Sequence, residues 1–112
     1  MKDIDDMKRF LLKKLKRQYV FWSYDASKIN YRNIPDEVLI TKTLTHLDLW
    51  DINLLFMYYK PKFIKKVWRE QMAISGEYLG MLNRFLAWYY FDIKKPDKYL
   101  KTIKTKQIKE YD

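Results

Sequence analysis

Two glycines and three prolines are all that punctuate a chain of 112 residues. A many-stranded sheet protein needs turns every few residues, and tight turns draw heavily on glycine and proline. So sparse a supply of breaks favours helices joined by short connectors. Apolar side chains recurring at steps of three and four in five segments point the same way. The expected fold is therefore all-α: a compact bundle of about five short helices with a basic C-terminal tail. Residues 1–95 read as a single helical domain. Within it, 1–20 form a basic amphipathic helix and 21–91 the core, leaving 96–112 as a basic tail.

In residues 3–19, Ile4, Met7, Leu11, Leu15 and Tyr19 share one helical face. Asp3, Asp5 and Asp6 suit the positive end of that helix's dipole. The aromatic stretch from Val20 to Asp25 reads as an ordered connector that inserts Trp22 into the core. A helix then opens at Pro35-Asp36-Glu37, and a second at Asp48, a good N-cap. The second carries Trp50, Leu54, Met57 and Tyr58 as well as Leu49, Ile52, Leu55, Phe56 and Tyr59. It is apolar nearly all round and is expected to be the most buried. A third begins at Lys60-Pro61, with Phe63, Ile64, Val67, Trp68 and Met72 facing in.

After the break at Ser75-Gly76-Glu77, a last long helix from Tyr78 should end near Phe91, with Pro96 barring its continuation. The tail reads as an extended or partly disordered arm with one turn at 97–100. Residues 101–112, lysine-rich with few large apolar groups, should add little to stability. Trp22, Leu44, Leu55, Phe56, Val67, Trp68, Leu82 and Phe85 are the expected core, and Trp50 and Trp88 are placed there too.

The net charge of +9 is concentrated at the ends. Residues 1–20 carry a net +4 and residues 92–112 a net +3, leaving +2 for the long middle. Basic ends suit an anionic partner, either nucleic acid or an acidic protein. The candidate contacts are Lys13, Lys14 and Arg17 on the first helix, and Lys62, Lys65, Lys66 and Arg69 on the third of the central helices. That basic helix, spanning 61–72, is placed like the recognition helix of a helix-turn-helix unit. Tyr19, Tyr58 and Tyr99 lie near basic residues and are the candidates for stacking on bases.

Catalytic chemistry has little to stand on. The chain has no cysteine and a single histidine, His46. Neither a thiolate metal site nor a histidine-based triad follows from that set. None of the GxxxxGK[ST], GxGxxG or HExxH motifs occurs. The expectation is a non-enzymatic protein with no cofactor, no metal and no catalytic residue. The acidic start lacks the apolar stretch of a signal peptide, and no apolar run approaches the roughly 20 residues of a membrane span. A cytoplasmic location without membrane contact is expected.

Phe21-Trp22-Ser23-Tyr24-Asp25 is followed by a polar spacer, then by Ile40 to Leu55, Tyr58-Tyr59 and Ile64-Lys65-Lys66-Val67. This pattern resembles a family of small bacterial helical proteins often encoded beside AbiEii-type nucleotidyltransferase toxins. The family has an early FWD-like aromatic block. A VL…GD-like helix join follows, here Thr43-Leu44-Thr45-His46-Leu47-Asp48, then a YG…I-like step, here Tyr59-Lys60 and Ile64. An aromatic helix closes the pattern, here Leu82-Asn83-Arg84-Phe85-Leu86-Ala87-Trp88. Leu47 and Lys60 stand where the family commonly has turn glycines. The resemblance covers about residues 21–91 and implies a shared helical fold and an antitoxin-like or regulatory role with a toxin as protein partner. The alternative from the residues themselves is a DNA- or RNA-binding module using the basic helix.

Overall fold

Asp3 opens the first helix by accepting a hydrogen bond from the Asp6 amide at 2.9 Å, which satisfies one of the donors a helix start leaves free. In the computed structural model, which describes residues 3–18, 20–21, 26–74 and 79–111, six α-helices follow one another. They are α1 (Ile4–Arg17), α2 (Asp36–His46), α3 (Leu49–Tyr58), α4 (Pro61–Gln71), α5 (Gly80–Tyr89) and α6 (Pro96–Tyr111). A short 3-10 turn occupies Ala26–Lys28, and no strand occurs among the described residues. The all-α expectation holds, with six helices rather than about five. The chain divides into two compact units, Met1–Ile64 and Lys65–Asp112, and the boundary falls within α4.

In the first unit α1, α2 and α3 pack against one another. Met7, Leu11, Leu12 and Leu15 of α1, Leu39, Ile40 and Leu44 of α2, and Ile52 and Leu55 of α3 are buried, as is Phe21. Trp22, Tyr19 and the Ser75-Gly76-Glu77 break lie outside the described residues. Asp48 caps α3 as its position suggests, accepting from the Asp51 amide at 3.1 Å.

α3, apolar nearly all round, is not the most buried helix. Trp50 is 83% exposed and Met57 76%, while Asp51, Ile52 and Leu55 carry its buried side. A three-helix unit has no second layer to cover the far side of a helix. Trp50 is therefore a surface residue, contrary to its expected place in the core.

Polar groups also join the helices. Lys14 Nζ lies 2.9 and 3.1 Å from the two oxygens of the buried Asp51 carboxylate, linking α1 to α3. Asp36, at the start of α2, accepts from the Tyr59 hydroxyl at 2.6 Å and lies 3.1 Å from Lys8 Nζ. Burial raises the Asp36 carboxyl, but the Tyr59 hydroxyl and the Lys8 ammonium outweigh it and hold it below the usual aspartate value. A depressed folded-state value contributes stability above the unfolded pKa and loses it as pH falls through the folded one. Thermal melts should therefore drop for the native chain below about pH 4, where a free aspartate begins to protonate. Asp36→Asn should be less stable at neutral pH and flatter across that window. Parallel profiles for the two proteins would show that the carboxylate contributes nothing.

In the second unit the far end of α4 brings Val67, Trp68 and Met72 into the interior, and α5 packs on α6. Trp68 is fully buried, with ring centroids 4.8 Å from Phe91 and 6.1 Å from Tyr99 of α6. Its indole N–H donates to Asn83 Oδ1 at 3.0 Å, and Asn83 Nδ2 donates to the Met72 carbonyl at 2.9 Å. Leu86 and Ala87 are buried beside Asn83 on α5.

The expected extended tail is a helix. Pro96 does not end α5, which has already stopped at Tyr89. The chain turns there through Asp92, with a left-handed φ of 52°, and the Ile93 amide closes onto the Ala87 carbonyl at 2.9 Å. Pro96 instead begins α6, where its missing N–H costs nothing and its ring presets φ. Asp97 adds a favourable charge in that first turn.

The remaining core expectations divide. Leu44, Leu55, Val67 and Trp68 are buried, and Phe56 and Leu82 are half-buried. Phe85 and Trp88, expected in the core, are exposed on α5. A helix that carries large apolar residues on several faces does not state which of them will meet a neighbour.

Candidate functional site

The basic residues singled out by sequence separate by helix and by engagement. Lys13 and Arg17 are exposed one turn apart on α1, with no ion-pair partner among the described residues. Lys14 is engaged instead with Asp51, whose carboxylate raises its pKa chiefly through the hydrogen bond. On α4, Lys62, Lys66 and Arg69 are exposed, and Lys65 is half-buried with its ammonium 5.9 Å from the Tyr99 ring centroid. Their spacing sets them along one side of that helix. Tyr99 stacks on Trp68 and is not a free platform for bases; Tyr58 is half-buried.

Lys13 and Arg17 open onto a groove of about 500 Å³ in the first unit. Arg9, Leu12, Lys16, Asn30 and Tyr31 complete its lining. The segment after the 3-10 turn is held by its own side chains. Asn30 Oδ1 accepts from the Arg32 and Asn33 amides at 2.8 and 3.1 Å, and Asn33 Oδ1 accepts from the Asn30 amide at 2.9 Å. This Asx-turn geometry presents Tyr31 toward α1. The Tyr31 hydroxyl accepts from Arg9 Nη2 at 2.8 Å and from Arg32 Nε at 2.9 Å. The Arg9 guanidinium also lies 4.2 Å from the ring centroid. Those two donors, Arg9 before Arg32, hold the phenol below the ordinary tyrosine value. Lys16 donates to the Ile29 carbonyl and ties α1 to the same segment.

The groove was only half legible in sequence. Arg9, Lys13, Lys16 and Arg17 follow a helical period, but nothing local connects them to Tyr31-Arg32, which follows Arg9 by 22 residues.

A second kind of surface is apolar. On α5, Met81 is 81% and Trp88 62% exposed, with Phe85 and Tyr89 exposed beside them. Steps of four, three and one place all four on one side of the helix. Phe85 and Tyr89 stack at 5.3 Å. On α3, Trp50, Met57 and Leu49 are the exposed apolar residues of the first unit's third helix.

His46 carries a pKa lowered first by burial and then by Lys42. Among the described residues no group of three or more His, Cys, Asp or Glu is placed to hold a metal. No helix among them is long and apolar enough to cross a membrane.

No protein-family model matches this chain, and neither a curated protein nor a solved structure is similar to it. The resemblance to the toxin-neighbour family rests on the residues quoted for it.

Proposed function

We propose that this chain is a non-enzymatic, cytoplasmic interaction protein, an antitoxin-like or regulatory partner of a bacterial nucleotidyltransferase toxin, and that α5 is its docking helix. The observation that supports the reading is the row Met81, Phe85, Trp88 and Tyr89 on one side of α5, while Asn83, Leu86 and Ala87 are buried. Contiguous exposed aromatics of this kind are unusual on a monomer and common at the centre of interfaces. A helix with such a face suits an apolar groove on its partner. The +9 charge sets a further condition. A nucleotide pocket built to hold phosphates would repel this chain, so docking falls on an acidic face of the toxin and neutralises it by steric occlusion. The other reading, a DNA- or RNA-binding module, draws on the exposed Lys62, Lys66 and Arg69 of α4.

Coexpression with the product of the neighbouring gene tests the reading. A protein partner should copurify, and Trp88→Ser should weaken the complex by about 2 kcal/mol, roughly thirty-fold in Kd. Because Trp88 is exposed, the free protein's unfolding midpoint should hardly move. Recovery of no protein partner, together with sequence-specific binding to the gene's own promoter, would reverse the order of the two readings.

A further inference from the structure

The α1 groove holds an arrangement that a protein-docking role does not use. Two guanidinium groups, from Arg9 and Arg32, converge on one phenol oxygen. Like charges brought together this closely repel, and the neutral phenol compensates them only in part. Arg9 also has an acidic neighbour, Asp6, but at 3.9 Å and one turn back on α1, outside the groove lining. Among the described lining residues none is acidic, whereas Arg9, Lys13, Lys16 and Arg17 are basic. Arg9 is held by the Tyr31 hydroxyl and ring, and Lys16 by the Ile29 carbonyl, so two of the four cations are fixed before any ligand arrives. Lys13 and Arg17 are left exposed to take up contacts.

We propose that this groove binds the sugar–phosphate backbone of a nucleic acid, with Arg9, Lys13 and Arg17 contacting successive phosphates and Tyr31 acting as a positioning residue that fixes Arg9 and Arg32. The length of the cation row favours a polyanion over a single phosphate. Arg9 to Arg17 spans eight residues of helix, about 12 Å at 1.5 Å per residue. Duplex DNA presents a charge about every 1.7 Å of its axis, so a row of that length meets several phosphates. Backbone contacts of this kind position a nucleic acid without reading its sequence. The site belongs to the first unit, whereas α5 lies in the second. It neither requires nor excludes a protein partner on α5.

Fluorescence anisotropy with labelled mixed-sequence oligonucleotides of graded length, on the full chain, is the test. Binding should tighten with length and fall linearly in log–log form with salt. Lys13→Glu with Arg17→Glu should weaken it at least ten-fold and lower the salt slope by about 0.7–0.9 for each phosphate no longer neutralised. Lys60→Glu with Lys94→Glu makes the same change in net charge at exposed positions outside the groove and should have a much smaller effect. Tyr31→Phe, which keeps the ring and removes the hydroxyl, should weaken binding several-fold. Circular dichroism melts of each variant guard against unfolding, and the Lys13 and Arg17 variants, altered at exposed positions, should melt like the native chain. Equal weakening in the two charge-reversed pairs would overturn the proposal, because only net charge would then matter. So would absence of oligonucleotide binding at low salt. Competition by a mononucleotide or inorganic phosphate as effective, per phosphate, as the longest oligonucleotide would overturn the polyanion assignment.

Discussion

Trp68→Ala should cost the second unit about 3–5 kcal/mol, the usual range for removing a fully buried aromatic. Trp68 is the largest fully buried side chain among the described residues, and it meets Phe91 and Tyr99 through its ring. Truncation removes that ring packing and leaves Asn83 Oδ1 without its indole donor. Asn83 is itself buried, so the orphaned carbonyl adds its own desolvation cost. Trp68→Phe keeps part of the ring packing while losing the N–H, and should cost less, about 1–3 kcal/mol. Urea unfolding followed by far-ultraviolet circular dichroism measures both. Natural domains hold only about 5–15 kcal/mol in all, so the alanine variant should melt well below the native chain. A cost under about 1 kcal/mol for Trp68→Ala would mean that α4, α5 and α6 are not joined through this ring.

Leu55→Ala should cost about 2–5 kcal/mol in the first unit. Leu55 is fully buried on α3, which packs against both α1 and α2, so the cavity has walls on more than one side and little freedom to collapse. Met57→Ala is the internal control, on the same helix but 76% exposed. It should change stability by no more than about half a kilocalorie per mole. The contrast between two residues two positions apart tests which side of α3 faces inward. Similar costs at both positions would show that Met57 is covered in solution.

Much of the local structure could be read from residue order. Asp3 and Asp48 are helix caps because a carboxylate one position before a helix can take an amide of its first turn. α2 opens at Asp36 just after Pro35, and α4 opens at Pro61 itself. Of the expected stripe Met7, Leu11 and Leu15 are buried while Ile4 at its start is exposed; apart from Ile4 and Phe10 the exposed surface of α1 is polar, so the helix has one side to hide. Ile64, Val67, Trp68 and Met72 follow for the same reason. The basic run on α1 was also visible, and half of the groove with it.

The rest depended on what each helix meets in space. α3 and α5 carry large apolar residues on more than one side, so periodicity gave no preference between Leu55 and Trp50, or between Leu86 and Trp88. Neighbouring helices made that choice by covering one side only, and the uncovered residues became the candidate docking face. The tail's lysines suggested an arm, but Tyr99 stacking on Trp68 and the packing of α6 on α5 tie its start to the unit. Asn83 reads as an ordinary polar position until the fold sets the Trp68 indole and the Met72 carbonyl on either side of its amide. Tyr31 likewise acquires its two arginines only when the chain folds back on α1. The sequence by itself determined where α1 to α4 start, and which side is buried where most of the helix surface is polar, because capping and amphipathicity act within a few residues. Only the tertiary structure decided which aromatics remain in water and which cations converge, because burial and charge density depend on groups far apart in the chain.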